Sequence, residues 1–149
     1  MKLAYLADHP DLLPTVAEWF FNQWGASEFT PTVEALAEKL KLSANKNQLP
    51  IMFLSFVDDQ LIGTAELKFR NIAEYPDYRY WLDGVFISEQ HRNLGYATEL
   101  INFAEEKAKT LNIPALYLRC TEANTGLYQK HGYRIVEQTD DKFIMVLAI

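Results

Sequence analysis

The feature that most constrains the fold is a strand pattern that runs into a glycine turn and then into a long helical pattern. Residues 85–87 form an apolar run of strand type, Gly95 supplies the turn, and helical spacing of apolar residues extends over about 96–111. A helix that starts in this way leaves its first backbone N–H groups unpaired, at the positive end of the helix dipole. The sequence therefore predicts an anion site and a phosphorylated cofactor.

Length and composition bound the rest of the architecture. At 149 residues and 49% hydrophobic content, the chain has the size of one domain with its own core, so we expect residues 1–149 to form a single domain. The single cysteine, Cys120, excludes an internal disulfide, and the three histidines are too far apart in sequence for a local metal site. No metal is expected.

Charge and hydropathy exclude two classes of partner. The net charge of −6 argues against nucleic-acid binding, because phosphate backbones are bound mainly by clustered Lys and Arg. No window approaches the roughly 18 apolar residues that a membrane span needs. We therefore expect a cytoplasmic protein without a nucleic-acid or membrane partner.

Periodicity predicts a mixed α/β (α+β) fold. A first helix begins at residues 8–10 and ends at Gly25, and a second is capped by Thr30 with Pro31 in its first position. The remaining helices are predicted over about 96–111 and 122–130. Strands are predicted over 2–6, 51–57, 61–69, 78–87, 116–120, 133–137 and 143–147. The helix between strands four and five predicts that these two strands are parallel neighbours, with ligands outside their carboxyl ends.

Two motifs in this order carry a family resemblance. The segment from Arg92 to Ala97 fits R-x-x-G-x-A, and residues 127–133 read L-Y-Q-K-H-G-Y. Together they resemble the acetyl-CoA motif and the later L-Y-x-K-x-G-F segment of the GNAT superfamily of N-acetyltransferases. The resemblance implies a mostly antiparallel central sheet, flanked by helices and splayed between strands four and five. It also implies acetyl-CoA as co-substrate.

The resemblance assigns residues to the cofactor. The pantetheine arm would lie along the fourth strand, the pyrophosphate on loop amides, and a hydroxyl on the first helical turn would add a contact. The residues implied are Val85, Phe86, Ile87, Arg92, Asn93, Leu94, Gly95, Tyr96, Ala97 and Thr98. The family often has Asn where this chain has Thr121, and Asn124 occupies a position that is usually small. Both are candidate cofactor contacts whose roles stay open.

Three residues are candidates for proton transfer. The resemblance places Tyr128 as general acid for the departing thiolate, a role that a phenol of pKa about 10 can fill. The candidate general bases are Glu66, Asp83 or an ordered water, and Asp83 is expected on the same strand face as Val85 and Ile87. An exposed strand carboxylate is the competing interpretation for each. Cys120 is expected to be structural rather than an acyl carrier.

These features predict an N-acetyltransferase that moves the acetyl group of acetyl-CoA to a primary amine by direct attack. The amine belongs to an unidentified small molecule or peptide. The alternative is a non-catalytic acyl-CoA-binding sensor or interaction module. A nucleotide-binding domain is disfavoured, because neither G-x-x-x-x-G-K-[ST] nor a full G-x-G-x-x-G is present. Edge strands and the apolar last hairpin are compatible with a homodimer.

Overall fold

A computed structural model describes all residues, 1–149. The helices are α1 (Leu13–Trp24), α2 (Val33–Leu40), α3 (Tyr96–Thr110) and α4 (Glu122–Lys130). The strands are β1 (Lys2–Tyr5), β2 (Ile51–Val57), β3 (Gln60–Phe69), β4 (Tyr80–Ile87), β5 (Ala115–Thr121), β6 (Arg134–Thr139) and β7 (Lys142–Ala148). The predicted order of helices and strands is confirmed. No helix is long and apolar enough to cross a membrane.

Both predicted starts of the first two helices were wrong by a few residues. Short 3₁₀ turns precede α1, and His9 between them has a non-helical backbone, so the α-helix begins only at Leu13. The cap of α2 is Thr32, whose hydroxyl accepts the Ala35 N–H at 3.1 Å. Thr30 is instead buried and bonded to Ser27, so its side chain is not available to a helix start.

One seven-stranded sheet, in the order β1-β2-β3-β4-β5-β7-β6, forms the centre of the molecule. All neighbouring strands are antiparallel except β4 and β5, which run parallel as predicted. That parallel contact has a single registered pair, Trp81 with Tyr117. The two strands therefore separate toward their carboxyl ends, and the predicted splay is confirmed.

A β-bulge in β4 changes which of its side chains lie on each face of the sheet. Gly84 and Val85 together oppose the single residue Ala65, between the pairs Thr64–Phe86 and Glu66–Asp83. An extra residue shifts the alternation of the strand beyond it by one. Asp83 therefore shares a face with Glu66, and the predicted common face with Val85 and Ile87 was wrong.

The two faces of the sheet bury separate cores. Helix α3 covers one face with Leu100, Ile101 and Ala104, and Val85 and Ile87 belong to that side. The other face is covered by α1 and α2, with Phe20 in its core. We call these the α3 face and the α1/α2 face.

Candidate active site

A cavity of about 580 Å³ lies where β4 and β5 separate. It opens on the α1/α2 face and extends through the gap to α4. Its wall includes side chains from both helices of that face, from β3, β4, β5 and β7, and from α4. The residues predicted for the site that line it are Glu66, Asp83, Val85, Thr121, Asn124 and Tyr128.

The predicted phosphate loop follows β4 and starts α3. Arg92 Nε donates a hydrogen bond to the Ile87 carbonyl at 2.8 Å, which ties the start of the loop to the end of the strand. Asn93 has φ 63° and Gly95 has φ 84°, the second of these in the left-handed conformation as N-cap of α3. Because a Cβ on Gly95 would meet nothing within 4 Å, the backbone conformation rather than lack of space favours glycine there.

The loop presents unpaired backbone donors. The last backbone hydrogen bond before the helix is from Arg92 N–H to the Glu89 carbonyl at 3.4 Å, and no turn or loop bond uses an N–H from Asn93 to Ala97. No side chain caps α3. These N–H groups, with the helix dipole behind them, form the geometry that binds an anion. Thr98 lies on the first turn of this helix.

The two carboxylates of the cavity share one cation, Lys68. Lys68 Nζ lies 3.2 Å from Glu66 Oε1 and 3.9 Å from Asp83 Oδ2, and Arg70 lies 3.5 Å from Asp83. Ser43 donates a hydrogen bond to Glu66. Glu66 is only 1% exposed, and Asp83 has a side chain that is 33% exposed. Burial raises the pKa of Glu66 above its ordinary value of 4.5, and the positive charge of Lys68 opposes that increase.

Tyr128 is the buried tyrosine of the cleft. It is 7% exposed, and its ring lies 5.8 Å from that of Tyr133 in an edge-on contact. Burial raises the pKa of the Tyr128 phenol above its ordinary value of 10.0, with a smaller contribution from Cys120 and Asp83. The phenol therefore keeps its proton throughout the neutral range.

Cys120 lines the cavity but is poorly suited to carry an acyl group. The thiol is buried, its sulfur lies 3.8 Å from the sulfur of Met145, and burial raises its pKa. A raised pKa removes the thiolate that an acyl-carrying nucleophile needs.

The remaining predicted residues lie outside the cavity wall. The centre of the Phe86 ring lies 5.2 Å from the centre of the Trp19 ring. The Arg92 guanidinium lies over the Phe86 ring, 5.4 Å from its centre. Ile87 is buried in the α3 face, and Leu94 is exposed. What Phe86 and Ile87 present toward the gap is therefore backbone. None of the loop residues 92–97 lines the cavity.

Sequence reasoning missed the cations of the cleft. Lys39, Lys68, Arg119 and Lys142 all line the cavity. Strand alternation was a usable signal for Lys68, which stands two residues from Glu66 and so shares its face. No sequence signal placed Lys39, because its position depends on how α2 lies over the sheet.

A family model described as the acetyltransferase (GNAT) family matches residues 13–133. The chain belongs to this family. Membership confirms the predicted family, its fold and the predicted enzyme class, an N-acetyltransferase with acetyl-CoA as co-substrate. The GNAT match covers the splayed strands, the glycine turn and the whole of the segment 127–133 that contains Tyr128.

Solved structures of low sequence identity share this GNAT fold. An aminoglycoside 6'-N-acetyltransferase complexed with coenzyme A is 16% identical, with a TM-score of 0.77, over 99% of this chain and 97% of that one. A mutant of the spermidine N-acetyltransferase SpeG from Vibrio cholerae is 21% identical, with a TM-score of 0.74, over 99% and 95%. The PaiA N-acetyltransferase from Thermoplasma acidophilum, in complex with coenzyme A, is 20% identical, with a TM-score of 0.70, over 100% of both chains.

No curated protein matches this chain in sequence. The single domain, the roles of the site residues, the homodimer, the cytoplasmic location and the identity of the amine stay predictions.

Proposed function

We propose that this GNAT chain transfers the acetyl group of acetyl-CoA to a primary amine by direct attack in the gap between β4 and β5. The observation that carries the proposal is the separation of these strands after one registered pair, directly beside a loop of unpaired N–H groups. An extended chain of amides can pair with the free edge of β4, while the loop holds phosphate. In this proposal, β4 holds the amide chain of the donor and the loop holds its phosphates.

The loop before α3 and the residues of the gap both suit acetyl-CoA as donor. N–H groups from Asn93 to Ala97 suit the pyrophosphate, and the Thr98 hydroxyl lies on the first turn of the helix that they begin. Thr121 and Asn124 line the cavity near α4, where either side chain can reach the pantetheine arm. When bound, acetyl-CoA supplies the activated acetyl group.

We assign proton removal from the amine to Glu66, directly or through one water, with Asp83 as the alternative. A free amine has a pKa of about 10.4, so it must lose a proton before it attacks. The raised pKa of Glu66 supports this role, because a base titrating closer to neutrality accepts a proton more effectively. Asp83 shares the same face and is held by Lys68 and Arg70.

We assign the proton that the sulfur receives to Tyr128. As the new C–N bond forms and the C–S bond breaks, a backbone N–H of β4 near the bulge stabilises the charge that develops on the carbonyl oxygen. The Tyr128 hydroxyl donates its proton to the leaving sulfur. Of the two protons that the ammonium group loses in becoming an amide, the first goes to Glu66 and on to solvent. The second, released as the C–N bond forms, restores the Tyr128 phenol through water. The burial of Tyr128 supports a donor that remains protonated at neutral pH.

Tyr128→Phe tests this assignment. We expect turnover, followed as thiol release with an amine substrate, to fall by about two orders of magnitude, because general acid catalysis contributes on that scale. Acetyl-CoA affinity should change little. Tyr133→Phe is the matched control, since Tyr133 is also a buried tyrosine but does not line the cavity.

Unchanged turnover in Tyr128→Phe would contradict the role of the phenol. Acetyl-CoA binding with no thiol release in the presence of any amine would instead favour the acyl-CoA-binding module.

A further inference from the structure

The cavities on the α1/α2 face are lined by more positive than negative side chains. A second cavity of about 480 Å³ adjoins the first and shares Lys39, Leu40, Glu66 and Lys68 with it. The cations that line the two cavities are Lys39, Lys68, Arg70, Arg119 and Lys142, and the carboxylates are Glu66 and Asp83. In a chain of net charge −6, this local excess has the opposite sign to that of the whole molecule.

Strand register places these charges on one face of the sheet. Leu118 belongs to the α3 face, so its neighbour Arg119 points to the α1/α2 face. Thr121 shares the face of Arg119 and is paired with Lys142. Lys39 extends from α2, which covers that same face. The cations therefore surround one space rather than lying on unrelated surfaces.

Three of the five cations have no anionic partner. Lys68 is paired with both carboxylates and Arg70 with Asp83. Lys39, Arg119 and Lys142 form no ion pair within the protein. Internal pairing thus leaves positive charge at the rim of a cavity, where an anionic ligand gains from it.

The phosphates of the acetyl donor do not account for this charge. Their proposed site is the loop Arg92–Ala97, at the start of a helix that packs on the α3 face. No residue of this loop lines either cavity. The three unpaired cations face the opposite side of the sheet and are left for the acceptor.

We infer that the acceptor is a primary amine that also carries a negatively charged group, which Lys39, Arg119 and Lys142 bind while the amine points toward Glu66 and Asp83. The inference rests on the proposed acetyl transfer at the same site. A second ammonium group on the acceptor would lie against these cations, so like-charge repulsion disfavours polyamines. The solved structures of similar fold include enzymes named for an aminoglycoside and for spermidine, and the charges of this cleft favour a different class of amine.

A charge series of one length tests the inference. The probes are 5-aminopentanoate, its amide and 1,5-diaminopentane, which differ only in the group at the far end. Binding is measured by calorimetry, with and without saturating CoA. We expect the carboxylate to bind about tenfold more tightly than the amide, and the diamine to bind most weakly. The probe 3-aminopropyl phosphate then distinguishes a phosphate site from a carboxylate site.

Charge variants identify the residues responsible. Lys39→Gln and Arg119→Gln should each lower the preference for the carboxylate by about threefold to tenfold, and Lys39→Glu should turn it toward the diamine. Lys130→Gln is the matched control, because Lys130 is an exposed lysine outside both cavities. Acetyl-CoA affinity should be equal in all four variants.

Two outcomes overturn the inference. One is that the diamine binds as tightly as the carboxylate or more tightly, and the other is that no probe binds to protein that binds CoA. Failure to bind acetyl-CoA would count against the proposed acetyl transfer instead. Because the series is also measured without CoA, the charge preference is observed in either case.

Discussion

Glu66 shows how a single buried carboxylate joins stability to chemistry. Burial disfavours its charged form, while Lys68 and the Ser43 hydroxyl favour it. The result is a raised pKa for the Glu66 carboxyl group, which lines both cavities. In the proposed mechanism, this raised pKa makes Glu66 a stronger base toward the amine than a fully solvated carboxylate would be.

The raised pKa of Glu66 predicts a particular pH dependence of stability. Between 4.5 and its higher folded value, the folded state retains a proton that the unfolded state has lost, so stability falls as pH rises through that window. Glu66→Gln removes this contribution. We expect urea unfolding to show the variant gaining stability relative to the wild type as pH rises, at up to about 1.4 kcal/mol per pH unit.

Glu122→Gln is the control for that comparison, since Glu122 is an exposed glutamate at the start of α4. It should follow the wild-type curve. Parallel pH dependence in wild type and Glu66→Gln would show that Glu66 has the same pKa in both states.

At the scale of elements, the bulge in β4 decides what the cleft contains. Gly84 has φ 56°, and a Cβ there would lie 3.0 Å from Cζ of Phe20 on α1. We expect Gly84→Ala to lower the free energy of unfolding by about 1–3 kcal/mol, because it combines backbone strain with this contact.

Phe20→Leu separates the two causes. If the contact contributes, the cost of Gly84→Ala in urea unfolding should be smaller in the Phe20→Leu background than in the wild type. A cost below about 0.5 kcal/mol in the wild type itself would contradict the proposed strain at the bulge.

Sequence patterns predicted the elements better than their details. The element order, the parallel β4–β5 contact and the glycine turn follow from local spacing and connection rules, and all three are present. The bulge changed the predicted face of Asp83, because an unpaired strand residue depends on partner register that one strand alone does not encode. The cap of α2 depends on which of two nearby threonines has a free hydroxyl.

The cations of the cleft are the main part of the site that sequence could not assemble. Lys39 and Lys142 are far apart in the sequence, and they line one cavity only because α2 and β7 lie beside the gap between β4 and β5. Their juxtaposition is a property of the tertiary fold. Tyr128, by contrast, was found from its motif, and the cavity includes it.

At the scale of the whole molecule, the two faces of the sheet carry the two parts of the proposed site. The α3 face supports the loop of free N–H groups, and the α1/α2 face bears the two cavities that we propose for the acceptor. The gap between β4 and β5 connects them. An acetyl donor held on the first side can thus meet an amine held on the second.

The measurement that tests this account most directly is calorimetric titration with acetyl-CoA of the wild type, Gly95→Asp and Gly25→Asp. Gly25→Asp is the control for a carboxylate introduced at another glycine of positive φ. Gly25 lies at the end of α1 with φ 78° and ψ −175°, against 84° and 3° at Gly95, and an added Cβ would meet no atom within 4 Å at either position. We predict micromolar binding by the wild type and by Gly25→Asp, and loss of binding in Gly95→Asp, whose carboxylate repels phosphate at the loop. Equal binding by all three proteins, or no binding by the wild type, would contradict the proposed acetyl-CoA site at this loop.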